Sequence, residues 1–267
     1  MARTTPAPKS AIAAPASAKP AARSARPGPG RPSKGGADVD VRERILDVAE
    51  EQFSKRGYEA VSTRAVARQT GATAAMIHYY FASKRALFDA VIARRADVVN
   101  RERLETLDAY ARNADPPTVE GAIEAFMRPV LDKLASNDLG WRHYLALVAQ
   151  VANTHEWGGA VMTNSFDPVV QRLIDIIGKA LPHAKPAELY WAYHFFSGAL
   201  MLILSETDRI NRLSKGLCLS TDVQAIEPRL IEFAAAGFHR VCARAPNSDR
   251  PGTDNSKRRS PKPRATG

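Results

Sequence analysis

Hydroxyl and cationic side chains recur at regular places between Ser62 and Leu87, in the stretch STRAVARQTGATAAMIHYYFASKRAL. Ser62, Thr73 and Ser83 each stand just before a short helical run, where a side-chain oxygen accepts from the free amides of the first turn. Thr63, Arg64 and Lys84 lie beside them. Hydroxyls, helix N-terminal amides and cations are together the groups that hold phosphate oxygens. Thr70-Gly71 punctuates the stretch, and two helices joined by such a turn are the layout of a helix-turn-helix, whose second helix enters a nucleic-acid groove. The run His78-Tyr79-Tyr80-Phe81 closes the segment, with Tyr80 and Phe81 assigned to packing.

Other chemistry finds no matching pattern. His143 and His155-Glu156 lack the His-Glu-x-x-His spacing of a metal site, and no Gly-x-Ser-x-Gly, P-loop or dinucleotide glycine pattern occurs. No catalysis, metal or cofactor is therefore expected. Cys218 and Cys242 make no disulfide framework and read as buried small hydrophobes. No apolar run is long enough for a membrane span and no signal-peptide core opens the chain, so a cytoplasmic protein is expected, associated with the nucleoid when bound to DNA.

The elements that must position these residues follow from periodicity. Nine helices are expected, at about 41–55, 63–69, 74–80, 84–107, 118–135, 141–152, 167–181, 186–207 and 223–244, with no alternating strand pattern. The class is all-α: a three-helix helix-turn-helix domain over 39–87, then a larger helical domain over 88–245 for effector binding and dimerisation. Residues 1–38 are Ala, Pro, Ser and Gly with seven Lys/Arg against one Asp, and residues 246–267 carry six Lys/Arg against two Asp. Such segments offer little to bury and read as disordered basic tails. They hold the whole net charge of +10, so the basic balance says little about the folded part. Within the first tail, Gly30-Arg31-Pro32 resembles an AT-hook, which lays an arginine in a narrow minor groove, though Pro29 stands where the hook has an arginine. The plainer alternative is a solvated basic tail attracted to phosphate.

With the helices placed, residues 42–91 resemble the DNA-binding domain of TetR-family regulators. The resemblance is carried by Ile45-Leu46, Ala49, Phe53, Gly57-Tyr58, Ser62-Thr63, Val66-Ala67, Gly71, Tyr80-Phe81, Ser83-Lys84 and Leu87-Phe88, without a gap from Gly71 to Lys84. It implies a DNA-binding, ligand-responsive transcription regulator. By position, it implies that Ser62 and Thr63 reach phosphate and that Arg64 faces the groove or backbone. Thr73, Ala74 and Ala75 would begin the recognition helix and approach base edges, with His78 and Tyr79 one turn on and Lys84 anchoring phosphate. His78 stands where the family usually has a Tyr, and TAAMIHYY has no Arg, Lys, Asn or Gln for bidentate base contacts. Direct readout is thus thin, and Arg64, Arg31 and DNA shape carry more of the affinity.

The partners expected are double-stranded DNA, a second copy of the chain and a small hydrophobic effector, with no membrane. Helix 186–207 is apolar nearly all round, and Trp191, Phe195, Gly198 and Leu202 on it, with Leu230 and Phe238 on the last helix, are the expected dimer contacts. Phe126, Met127, Trp141, Tyr144, Leu145, Val148, Met162 and Phe166 are the expected pocket lining, with His143, Asn153, His155 and Asn164 as polar candidates. The expected function is a homodimeric repressor released from a palindromic operator by its effector. An activator, or an architectural DNA binder without effector, is the alternative. Because thin base readout leaves phosphate contacts dominant, DNA affinity should fall steeply with salt. Deleting residues 1–36 should flatten the slope of log affinity against log salt, measured by fluorescence anisotropy.

Overall fold

A computed structural model describes residues 34–136, 138–155 and 157–243, the first six of them by backbone alone. Arg31 and both basic segments called tails above lie outside the described residues, apart from the short stretch by which the first helix reaches back. The described chain is all helix and turn, as expected. In order come α1 (Lys34–Ala60), α2 (Thr63–Thr70), α3 (Ala74–Tyr80), α4 (Lys84–Asn113) and α5 (Val119–Ala135). These are followed by α6 (Leu139–Ala152), α7 (Gly158–Ala180), α8 (Pro186–Leu204), α9 (Arg209–Leu213) and α10 (Val223–Cys242).

The reading head is α1 to α3 packed on the start of α4. Ile45, Leu46, Ala49 and Phe53 of α1 are buried with Val66 and Ala67 of α2, Ile77 of α3 and Leu87, Phe88 and Val91 of α4. Gly57 breaks α1 with φ 76° and ψ 165°, a backbone that an L side chain resists, and Gly71 caps α2 in the left-handed region at φ 71°. Both glycines were legible as stops.

Helix α4 is the axis of the molecule. Its 30 residues span about 45 Å at the usual helical rise. Ala96, Val99, Arg103 and Leu107 continue its buried stripe from the head into the body, where α4 packs on α5 and α7. A buried ion cluster holds α1 to it. Glu50, only 2% exposed, accepts from Arg94 at 3.0 Å and from Arg95 at 2.8 Å. Arg94 also reaches Asp47 at 2.8 Å, and Arg95 lies over the Trp141 ring at 4.8 Å.

Three helices continue through a proline that removes one backbone donor, at Pro129 in α5, Pro168 in α7 and Pro228 in α10. In α5, Pro129 leaves the Ala125 carbonyl without its helical partner, and Thr106 Oγ1 of α4 donates to it at 2.7 Å. Arg103 Nε donates to the next carbonyl, Phe126 O, at 3.0 Å. In α7, Asn100 of α4 likewise donates to Ser165 O, three residues before Pro168, at 2.5 Å. The sequence reading began this helix at Asp167, just before the proline; it begins nine residues earlier, at Gly158, and α4 supplies a polar partner beside the break. The short α9 was also not expected: it follows Glu206 and Asp208, both at positive φ, in a tight turn.

Several expected dimer and cysteine placements are corrected. Leu230 and Phe238 are buried where α10 packs on α5 and α8 of the same chain, so their side chains serve that core, and only Leu230 keeps an edge on the groove beside Leu202 and Phe233. Cys242 is buried, but Cys218 is exposed in the turn after α9. Replacing Glu50 with Ala strands two partly buried guanidinium groups, and should cost about 2 kcal/mol or more in chemical denaturation. Replacing the exposed Glu105 with Ala should cost less than about 0.5 kcal/mol.

Candidate nucleic-acid interface and internal cavity

At the outer end of the head, three helices begin on hydroxyl caps. The Ala65 amide donates to Ser62 Oγ at 3.2 Å, the Met76 amide to Thr73 Oγ1 at 3.2 Å, and the Ala86 amide to Ser83 Oγ at 3.0 Å. Each oxygen is used as an acceptor, which leaves the O–H proton free to donate outward. Ser62, Arg64, Thr73, Ala74, Ala75, His78 and Tyr79 are all exposed and Thr63 is half-buried, so the expected interface residues share the surface formed by α2 and α3. Tyr79 is 79% exposed with its ring edge-on to Tyr80, an unusual position for an aromatic side chain without a ligand or partner surface. Tyr80 and Phe81 pack inward, as assigned.

Lys84 does something the sequence did not show. Its ammonium donates to Glu59 O at 3.2 Å and lies 4.3 Å from the Tyr58 ring centre, clasping the start of α4 to the end of α1 past its Gly57 break. Glu59 Oε2 also lies 4.0 Å from the ammonium, so the lysine takes part in an ion pair as well.

The body encloses a cavity among α4, α5, α6, α7 and α8, with about 30 Å³ of free space, room for a water or two. Six expected residues line it: Phe126, Tyr144, Leu145, Val148, Met162 and Phe166. Two do not. Met127 is one residue past Phe126 and so turned into solid core, and Trp141 lies under Arg95 and Lys133 near the surface. Nor do the polar candidates face it: Asn153, His155 and Asn164 are exposed, and His143 is not among the lining.

The polar lining comes instead from Arg103, Tyr144, Tyr193 and Ser197. Arg103 is 6% exposed, and its guanidinium stands 4.0 Å from the Phe126 ring centre. Burial pushes its pKa down to about 10, low for arginine but still cationic at neutral pH. Burial also raises the pKa of Tyr144 and of Tyr193, so both phenols stay protonated donors. The Tyr144 hydroxyl is buried and has no hydrogen-bond partner among the described residues. One signal for Arg103 was available: it occupies a stripe position, four residues from both Val99 and Leu107, where the helix pattern calls for an apolar side chain.

Two of the helices that wall the cavity, α6 and α7, also reach the head beyond the lining residues. Helix α7, which contributes Met162, Phe166 and Val170 to the lining, is preceded by Trp157. The Trp157 ring packs 5.1 Å from both Tyr58 and Phe88, and Arg85 lies over it at 5.0 Å. The Gln150 amide of α6 donates to Ser54 O in α1 at 2.6 Å.

This arrangement is that of a helix-turn-helix head on a helical body with an internal cavity. Family comparison agrees: "Bacterial regulatory proteins, tetR family" matches residues 45–91, and "Tetracyclin repressor-like, C-terminal domain" matches residues 124–237. The chain belongs to the TetR family of DNA-binding transcriptional regulators. The fatty acid degradation regulator FadR from Bacillus halodurans has a similar fold, with a TM-score of 0.54 at 15% identity over 74% of this chain and 95% of that one. The ketosteroid transcriptional regulator KstR2 of Mycobacterium tuberculosis aligns with a TM-score of 0.51 at 14% identity, over 73% of this chain and 93% of that one. No curated protein matches significantly. Among the described residues no helix is long and apolar enough to cross a membrane.

The Thr73 hydroxyl serves both the fold of α3 and the exposed face. Thr73→Ala should lower stability by about 1 kcal/mol in chemical denaturation, and should weaken DNA binding further than that loss explains. Thr73→Ser should restore both.

Proposed function

We propose that this protein is a homodimeric repressor that leaves a palindromic operator when a small, mostly apolar effector enters the body. The observation that carries the reading is the position of Trp157, set between the cavity wall α7 and the head residues Tyr58 and Phe88. An effector that displaces α7 changes the packing of Trp157, and with it the angle at which the head is held. It does so only by binding one arrangement better than the other, and a coupling of the usual allosteric size, about 1–3 kcal/mol, corresponds to roughly 5- to 150-fold in DNA affinity.

Dimerisation is supported by the surface of α8. Ala192, Phe196, Leu200 and Leu204 face the chain's own core. On the opposite side Trp191, Phe195 and Leu202 are 56%, 59% and 64% exposed, an apolar stripe at helical spacing. Gly198 interrupts it with open space where a side chain would be, and Phe233 of α10 lies 68% exposed. A continuous apolar patch of this kind is characteristic of a covered surface. A second copy across a two-fold axis meets it with the same residues and sets two recognition helices about one DNA turn apart, ~34–36 Å. Phe233 thereby takes the α10 contact that the sequence reading gave to Leu230 and Phe238.

Footprinting on DNA upstream of its own coding region should give one discrete protected palindrome. Leu202→Glu should sediment as a monomer at micromolar concentration and lose that footprint while keeping its helical spectrum. Uniform coverage of the DNA would instead indicate an architectural binder, and a monomeric wild type would sink the dimer.

A further inference from the structure

From the cavity we infer the chemical class of the effector: a mostly apolar molecule bearing a single carboxylate, which Arg103 neutralises while the Tyr144 hydroxyl donates to it. The inference rests on the reading of the body as an effector domain, and names what that domain recognises.

The reasoning starts from an imbalance. Arg103 is buried and remains cationic, yet it forms no ion pair with any described residue, and no Asp or Glu lines the cavity. Its Nε bond to Phe126 O and the Phe126 ring satisfy one donor and part of the charge. Neither supplies a counter-ion. Beside it the Tyr144 hydroxyl is buried without a partner among the described residues, an independent sign of a missing acceptor. Buried polar groups are costly when unpaired, and their concentration in a cavity marks a ligand site more often than a packing accident.

The charge count fixes the ligand class. One guanidinium and neutral phenols balance one negative charge, not two, and the planar guanidinium fork matches a carboxylate through two parallel hydrogen bonds. The remaining lining is aliphatic, aromatic and thioether, suited to a hydrocarbon tail. The free space of about 30 Å³ admits little more than a carboxyl group, so the tail must displace lining side chains. Met162 and Met201 are unbranched and can refold around it. A role confined to the Pro129 break would explain the Nε bond of Arg103, but not its uncompensated charge or the unpartnered Tyr144.

The test uses the purified full-length chain and matched pairs of probes: hexanoate, octanoate and decanoate against hexanol, octanol and decanol, by isothermal titration. At least one acid should bind about 10-fold or more tighter than its own alcohol, and should raise the melting midpoint. Arg103→Met should bring that acid down to the affinity of the alcohol and leave the alcohol unchanged. Tyr144→Phe, which removes only the hydroxyl, should weaken the acid several-fold. Should Arg103→Met fail to fold, the wild-type ratio and Tyr144→Phe decide. Equal binding of acid and alcohol, no binding of any acid, or an acid affinity untouched by the variants overturns the inference. Operator binding is measured in parallel: a chain that binds DNA but no acid fails this inference alone. A chain that binds the acid but no DNA fails the regulator reading instead.

Discussion

Glu50 lies buried between Arg94 and Arg95, and it is the buried centre of the ion cluster that seats the reading head on α4, with Asp47 and Glu43 at its edge. Helix α1 also packs on α6, but apolar contact is non-directional and tolerates sliding by a residue or a few degrees. Charged hydrogen bonds do not, because a carboxylate taken out of water is stable only where its donors meet it at short distance. The same cluster extends by Arg95 toward Trp141 and the Asp138 cap of α6. Head, connecting helix and body are therefore registered at this cluster, with further links through Gln150 to Ser54 and through Trp157 to Tyr58 and Phe88.

Much of the head was legible because its signals are local. Ser62, Thr73 and Ser83 cap the helices that follow them, Gly57 and Gly71 end the ones before, and the ungapped spacing tied these features to a family. The body was legible as helices but less so as surfaces. Helical periodicity gives the faces without saying which face meets which neighbour, so Phe126 was placed well while Met127, one residue and a ~100° turn away, was not. Leu230 and Phe238 are buried in the chain's own core, because an apolar stripe facing the chain's own α5 reads in sequence like one facing a second copy.

The cavity polarity was missed for a different cause. A single Arg on a long helix with many charged residues ordinarily lies in water, and only its register with Val99 and Leu107 marked it otherwise. His143, Asn153, His155 and Asn164 looked better suited to orient a ligand, yet they sit outside the cavity. The start of α7 and the whole of α9 depended on tertiary support: Asn100 bonding beside the Pro168 break, and a turn held at positive φ.

The prolines of α5 and α7 bear on the mechanics of the cavity as well as on its outline. A helix is stiff because each turn is fastened to the next, and Pro129 and Pro168 each remove one such fastening. The two weakened helices are those that contribute Phe126, Val130, Met162 and Phe166 to the wall, whereas α4, with no proline, spans the molecule unbroken. Of the five helices that wall the cavity, α5 and α7 thus lack one internal fastening each, while α4 is continuous and bonds to both beside their breaks. In the proposed response, an effector would bend the proline-bearing walls against α4, and the α7 wall leads to Trp157.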